Sequence, residues 1–142
     1  MAPEGSGTGM PPCPTSPNCV SSEAGDPLHA VAPFLLRVPA QEAWPVVREE
    51  VAKLPRTRLV VATPTLLEAE CRSALFGFVD DLRLELRSGD GTIAVRSASR
   101  VGYSDMGVNR HRVEQLRQAL VRRGVLWPRA AQPPHSGRGA AR

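Results

Sequence analysis

Apolar and polar positions alternate along several stretches in the middle of this 142-residue chain. In residues 67–73 the charged side chains occupy every second position, so they share one face of an extended segment. Residues 78–87 and 92–100 alternate in the same way. Two further short runs, 34–38 and 58–63, are apolar or β-branched, and a proline stops each of them. The pattern predicts an antiparallel sheet of about four to five strands.

Two other stretches show the three-and-four spacing of amphipathic helices. The first, residues 41–55, has apolar side chains at Trp44, Val47, Val51 and Leu54. The second, residues 109–123, has them at Val113, Leu116, Leu120 and Val121. Pro45 is expected in the first helical turn, where a missing N–H costs little, and Gly124 is a natural helix stop. The order of elements predicts an α+β fold with two helices packed on one face of the sheet.

Proline and glycine set both ends of the chain apart from this pattern. Residues 1–27 hold six of the 14 prolines and show no apolar period, which predicts an irregular Pro/Gly-rich arm. Residues 128–142 are predicted to be a disordered tail. The remaining residues, 28–127, have the length of a single domain. Aromatic residues make up only 4% of the chain. The few large side chains expected to fill the core are Trp44, Trp127, Phe34, Phe76 and Phe78.

The link between residues 78–87 and 92–100 predicts a tight hairpin. Asp90-Gly91 is a favoured pair for a two-residue type I′ turn, and this register sets Glu85 opposite Arg96. A turn at Gly89-Asp90 would instead place Arg83 directly against Arg96, and like charges in that position are unfavourable. We therefore expect the Asp90-Gly91 turn.

Positive charge is the most distinctive chemical feature of the chain. The net charge is +4, and 17 of the 18 basic residues are arginine. Four of these approach one predicted strand–turn–helix corner: Arg96, Arg100, Arg110 and Arg112. Guanidinium forks fit carboxylates and phosphates, and a helix start adds free N–H groups. Tyr103 adds a hydroxyl and a stacking face, while Asp105 and Asn109 lie at the helix start.

The corner therefore predicts a small binding module that holds an anionic ligand or partner. The alternative is that neighbouring carboxylates neutralise the arginines in surface pairs, which contribute little stability. Nucleic acid is not indicated, because exposed aromatics for base stacking are too few. The sequence identifies no cofactor and no protein partner.

Asp80 supports a second hypothesis, that of an enzyme. The alternation places this carboxylate on the apolar side of its strand, where an ionised group is unfavourable unless it is hydrogen-bonded. Ser97 and Ser99 are expected nearby, so a structural network is one explanation. The other is acid–base chemistry by Asp80 together with Ser99 or Tyr103.

The cysteines support a third hypothesis. Cys13 and Cys19 lie close together in the arm, where they could form a disulfide in an oxidising compartment or half of a metal site in a reducing one. A metal site would also need His29, His111 or Cys71. Cys71 alternates with apolar residues and is expected in the core.

No run of about 18 apolar residues occurs, so no transmembrane segment is predicted. The first ten residues also lack the basic start and apolar stretch of a secretory signal. These two features predict a soluble, cytoplasmic protein.

Three blocks of the sequence carry a family resemblance: residues 12–22, 69–86 and 93–117. They resemble the signature blocks of the family catalogued as domain of unknown function 1499. The resemblance implies a small bacterial or plastid-type domain, and it brings no established activity to this chain.

Overall fold

The computed structural model describes residues 9–129, which form an antiparallel sheet of six strands and two helices. The strands are β1 (Cys19–Ser21), β2 (Phe34–Leu35), β3 (Thr57–Ala62), β4 (Leu66–Arg72), β5 (Val79–Arg87) and β6 (Thr92–Ser99). The helices are α1 (Ala40–Lys53) and α2 (Val108–Arg122). The α+β class is confirmed, with one or two strands more than the sequence predicted.

The sheet has the order β1-β6-β5-β4-β3, and β2 lies beside β6 on the same edge as β1. The arm predicted over residues 1–27 therefore differs from expectation at one point, because its residues 19–21 are a strand. Residues 1–8 of the predicted arm and residues 130–142 of the predicted tail lie outside the described part of the chain.

Alternation along the strands separates a core face from a charged face. On β5, Leu82 and Leu84 are buried beneath the helices, while Arg83 and Glu85 point to the other side with access to solvent. Both helices add apolar side chains to the same core. Its largest fully buried members are Phe34, Leu67, Leu82, Leu84, Ile93, Leu116, Leu120 and Leu126. The core face and the charged face both follow from the period of two that a half-buried strand imposes.

The hairpin between β5 and β6 corrects the predicted register. Residues 88–91 form a four-residue loop, and Arg83 lies opposite Arg96, which is the pairing that like-charge repulsion had argued against. The repulsion is offset because the Arg83 guanidinium forms ion pairs with Glu68 and Glu85. Carboxylates from β4 and from β5 itself thus make this register acceptable.

The helix boundaries differ slightly from those expected. Helix α1 begins at Ala40, so Pro45 lies inside it rather than in its first turn. Helix α2 begins after Gly107, which has a φ of 80°. The N-cap position is Gly107, and the carboxylate of Asp105 before it accepts hydrogen bonds from the backbone N–H groups of Gly107 and Asn109, which satisfies one free N–H of the first turn. Neither helix of residues 9–129 has the length and apolar character needed to cross a membrane.

Candidate functional site

A buried ion pair connects the sheet to α2. Asp80 on β5 accepts from Arg112 Nη2 on α2 at 2.9 Å, and the two side chains are only 7% and 12% exposed. The other Arg112 amino group, Nη1, donates to Ser97 Oγ at 3.1 Å and to Asn109 Oδ1 at 2.9 Å. The carboxylate expected on the apolar side of its strand is therefore satisfied, and it is enclosed by its partners rather than open to a substrate.

Asn109, in the first turn of α2, is the centre of this polar network. Its Oδ1 also accepts from Ser97 Oγ at 2.6 Å, while its Nδ2 donates to Ser99 Oγ at 3.0 Å and to Asp105 Oδ2 at 2.8 Å. A buried amide with all of these partners is held in one orientation. The network therefore fixes where Arg112 and the start of α2 stand relative to the sheet.

The structure brings together only part of the predicted corner. Of its residues, Asp105, Asn109 and Arg112 are joined in the network just described, together with Asp80, the residue of the second hypothesis. The other predicted side chains lie elsewhere. Tyr103 is 71% exposed in the loop before α2.

The remaining three arginines of the predicted corner have separate partners. Arg100 lies on the charged face, where it donates to Asp81 at 2.8 and 2.9 Å and to Glu70 at 2.8 Å. These hydrogen bonds, first to Asp81 and then to Glu70, raise the pKa of Arg100. Arg96 donates to the carbonyl of Pro12 at 3.1 Å, and Arg110 donates to two backbone carbonyls in the segment after β1. Their guanidinium groups do not meet at one point.

A different set of basic side chains lines a cavity of about 120 Å³ at the start of α2. We call it the basic cavity and define it by Arg56, Arg72, His111 and Arg112. The side chains come from three parts of the chain: the turn after α1, the end of β4 and the first two turns of α2. Within residues 9–129, the lining contains no Asp or Glu.

Two arginines of the basic cavity use backbone oxygens as partners. Arg56 Nε donates to the carbonyl of Arg72 at 3.1 Å, and Arg72 Nη1 donates to the carbonyl of Gly77 at 3.5 Å. Neither forms an ion pair within the described part of the chain. Arg56 also has a φ of 50°, a conformation that few side chains adopt. Strain of this kind is often retained at functional positions.

Sequence reasoning missed Arg56 and Arg72 because they lie outside the Arg-rich stretch 96–112. Arg72 was assigned only to the charged face of a strand, and Arg56 stood alone between Pro55 and Thr57. Placing them beside α2 requires the packing of α1 and β4, which is not encoded locally. The left-handed backbone of Arg56 had no sequence signal, since glycine or asparagine is usual there.

The predicted cysteine pair is joined. Cys13 and Cys19 form a disulfide that ties the arm to the first residue of β1. Cys71 is a free thiol and is 1% exposed, as expected for a core residue. Burial raises the pKa of this thiol and so disfavours the reactive thiolate. Among residues 9–129, no three His, Cys, Asp or Glu side chains come together in a group that could hold a metal ion.

Comparison with protein families gives one match. A family model described as protein of unknown function (DUF1499) matches residues 10–120. The matched range covers more than half of the chain and includes the three blocks that carried the resemblance, which is thereby confirmed. Comparisons with curated proteins and with solved structures find no match.

Proposed function

The chain belongs to the DUF1499 family of proteins of unknown function, and we propose that it is a binding module for a small anionic ligand. The ligand site is the basic cavity. The observation that carries the proposal is the charge of its lining, which combines three arginines and a histidine with no lining carboxylate among residues 9–129. A negative group placed there gains favourable Coulomb energy from Arg56 and Arg72, which form no ion pair among residues 9–129, whereas the charge of Arg112 is already paired with Asp80.

The hydrogen bonds of these cations favour the same conclusion. Arg56 and Arg72 donate to backbone carbonyls, which are neutral. A phosphate or carboxylate would offer them charge-assisted hydrogen bonds, which are about twice as strong. Arg112 is held in place by Asp80, Ser97 and Asn109, so its contribution needs little reordering on binding.

The proposal retains the anionic ligand expected from the sequence and moves its site. Arg112 belongs to both the predicted corner and the basic cavity. Arg96, Arg100 and Arg110 are assigned structural roles, because each already bonds to a carboxylate or a backbone carbonyl. The volume of about 120 Å³ suits a group of few atoms, such as phosphate, sulfate or the end of a carboxylate metabolite.

Thermal unfolding in the presence of phosphate, sulfate or malonate tests the proposal. A ligand at about ten times its Kd stabilises the native state by about 1.4 kcal/mol, which corresponds to a rise of a few degrees in Tm. Arg56→Gly removes one guanidinium and suits the backbone φ of 50°. We expect this variant, and also Arg72→Gln, to lose most of the anion-induced rise.

Arg48→Gln is the matched control, because it removes one positive charge from an exposed position on α1 outside the cavity lining. It should keep the anion-induced rise in Tm. The proposal is wrong if none of the anions raises Tm. It is also wrong if Arg56→Gly and Arg72→Gln respond to the anions as strongly as Arg48→Gln does.

A further inference from the structure

Seven large apolar side chains are exposed around two loops at one end of the molecule. They are Leu75, Phe76, Phe78, Val101, Tyr103, Met106 and Val108, with exposed fractions from 43% to 91%. We call this group the apolar tip. The first loop joins β4 to β5, and the second joins β6 to α2. Apolar side chains grouped in this way mark an interaction site more often than a solvated surface.

The sheet brings the two loops to the same end. Asp80 near the start of β5 pairs with Ser99 at the end of β6, and the backbone N–H of Arg100 donates to the carbonyl of Val79 at 3.1 Å. In the first loop, the N–H of Ser73 donates to the carbonyl of Phe78 at 2.8 Å, which closes that loop. The tip is thus a fixed feature of the fold at the start of β5 and the end of β6.

The core does not use these side chains. Phe76 and Phe78 are 71% and 53% exposed, so the prediction that both fill the core is wrong. Their rings lie 5.5 Å apart on the outside of the first loop. Met106 is 91% exposed and has a φ of 56°, which is unusual for a residue other than glycine. Because folding leaves from 43% to 91% of each of these residues exposed, binding is the remaining way to remove this surface from water.

The charge next to the tip indicates what it binds. Arg72 directly precedes the first loop, and Arg56 lies beside Arg72 in the basic cavity. Within residues 9–129, both guanidinium groups bond backbone carbonyls rather than carboxylates. Their charge is therefore available to an anionic partner. Apolar loops beside arginines have the chemistry of a segment that inserts at the surface of an anionic membrane.

We propose that the apolar tip inserts into the surface of an anionic lipid bilayer. Phe76, Phe78 and Tyr103 are suited to the boundary between headgroups and acyl chains, where aromatic rings are favoured. The adjoining arginines face the lipid phosphates. This inference goes beyond the proposed function, because it depends on the loops and not on a ligand within the basic cavity.

Vesicle co-sedimentation of the full chain tests the inference. One set of vesicles is phosphatidylcholine, and the other is an equal mixture of phosphatidylcholine and phosphatidylglycerol. We expect the protein to pellet with the mixed vesicles and to remain in solution with the neutral ones. The variant Phe76→Ser/Met106→Ser should bind the mixed vesicles at least about tenfold more weakly, since two large apolar side chains no longer insert.

Val60→Ser is the matched control, because Val60 is 49% exposed in the middle of β3, away from both loops. It should bind the mixed vesicles as the unmodified chain does. Circular dichroism spectra of all variants establish that they are folded. Arg56→Gly separates the two proposals: if it loses the anion-induced rise in Tm but still pellets with the mixed vesicles through the tip, the cavity and the tip act separately.

Three results would overturn the inference. The first is that the unmodified chain pellets with neither set of vesicles. The second is that the tip variant and Val60→Ser bind equally well. The third is that light scattering shows an unmodified dimer and a monomeric tip variant without vesicle binding, which would assign the tip to a second copy of the chain.

Discussion

Asp80 and Arg112 join β5 to α2 through an ion pair that is almost fully enclosed, with 2.9 Å between Oδ2 and Nη2. The next residue of the strand, Asp81, forms its own ion pair with Arg100, but on the exposed face. Neighbouring aspartates therefore form similar ion pairs in opposite environments. Removing one buried charge leaves the other without compensation, whereas water replaces a lost partner at the surface.

We expect Asp80→Asn to lower the free energy of unfolding by about 3 to 5 kcal/mol, because it leaves Arg112 buried and without its anion. Urea denaturation followed by circular dichroism measures the loss. Asp81→Asn is the control with the same chemical change on the same strand, and its effect should be far smaller. Equal losses for the two variants would show that the enclosed pair has no special structural role.

A pH dependence follows from His29, which links the segment after β1 to the arm. Its Nδ1 lies 2.7 Å from Asp26 Oδ2, and its Nε2 lies 2.9 Å from the Ser16 carbonyl. Both ring nitrogens face acceptors, so the imidazolium form satisfies both. The carbonyl of Ser16 and then Asp26 raise the pKa of His29, although burial opposes them.

A raised folded-state pKa gives stability that is fully present below the unfolded pKa, near 6.5, and is lost as pH rises through the folded value. We therefore expect the difference in unfolding free energy between the unmodified chain and His29→Gln to shrink on moving from mildly acidic to alkaline pH. Denaturant melts at a series of pH values measure this difference. A difference that does not change with pH would refute the prediction.

The β5–β6 loop depends on the backbone of Gly91, which has a φ of 69°. A Cβ at this position would meet no atom within 4 Å, so we expect the loss on substitution to come from backbone strain rather than a clash. We expect Gly91→Val to destabilise the protein by about 1 to 3 kcal/mol. Gly89→Val is the control in the same loop, with equal space and no positive φ. Equivalent chemical denaturation midpoints for the two variants would contradict this account.

The strand faces could be predicted from the sequence because burying one side of a sheet decides which of two neighbours points inward. Because Leu82 is apolar and Arg83 is charged, only the arrangement with Leu82 facing the core and Arg83 on the opposite face agrees with this rule. The β5–β6 register could not be predicted in the same way. It depends on hydrogen bonds within the loop and on Glu68, which comes from a third strand. The predicted register considered only charge pairs between β5 and β6, so it did not include the Glu68 carboxylate on β4.

The candidate site was predictable only in part. Arg112, Asp105 and Asn109 lie near one another in sequence, so a local pattern found them. The basic cavity required Arg56 and Arg72, whose positions follow from packing between distant elements. The apolar tip could not be predicted because its local sequence signal was misleading rather than missing. Phe76 is hydrophobic enough to predict burial, and only the assembled structure shows that it lies outside the core.

The disulfide should contribute measurably to stability. Linking Cys13 to Cys19 closes a short loop and restricts the unfolded chain, an effect of about 2 to 3 kcal/mol for a loop of this size. We expect Cys13→Ser/Cys19→Ser to unfold at correspondingly lower urea concentration. Adding reductant should lower the midpoint of the unmodified chain and leave the double variant unchanged.

The third cysteine provides an internal comparison. After reduction of the native protein, maleimide should label Cys13 before Cys71, because Cys71 is buried and its pKa is raised by that burial. Mass mapping of peptides at successive times gives the order of labelling. If Cys71 is labelled first, the thiol is accessible and its assignment to the core is wrong.

The short strands β1 and β2 also determine what the molecule presents to other chains. Together they cover the edge of β6, pairing with residues 96–98 and 92–93, and Ser22 bonds to Val95 in the gap between them. A chain shortened to begin after Ser22 would leave half of that edge with unused N–H and C=O groups. Such an edge is a template for strand addition between molecules. Strand β1 and Ser22 thus keep that part of the β6 edge from pairing with another molecule.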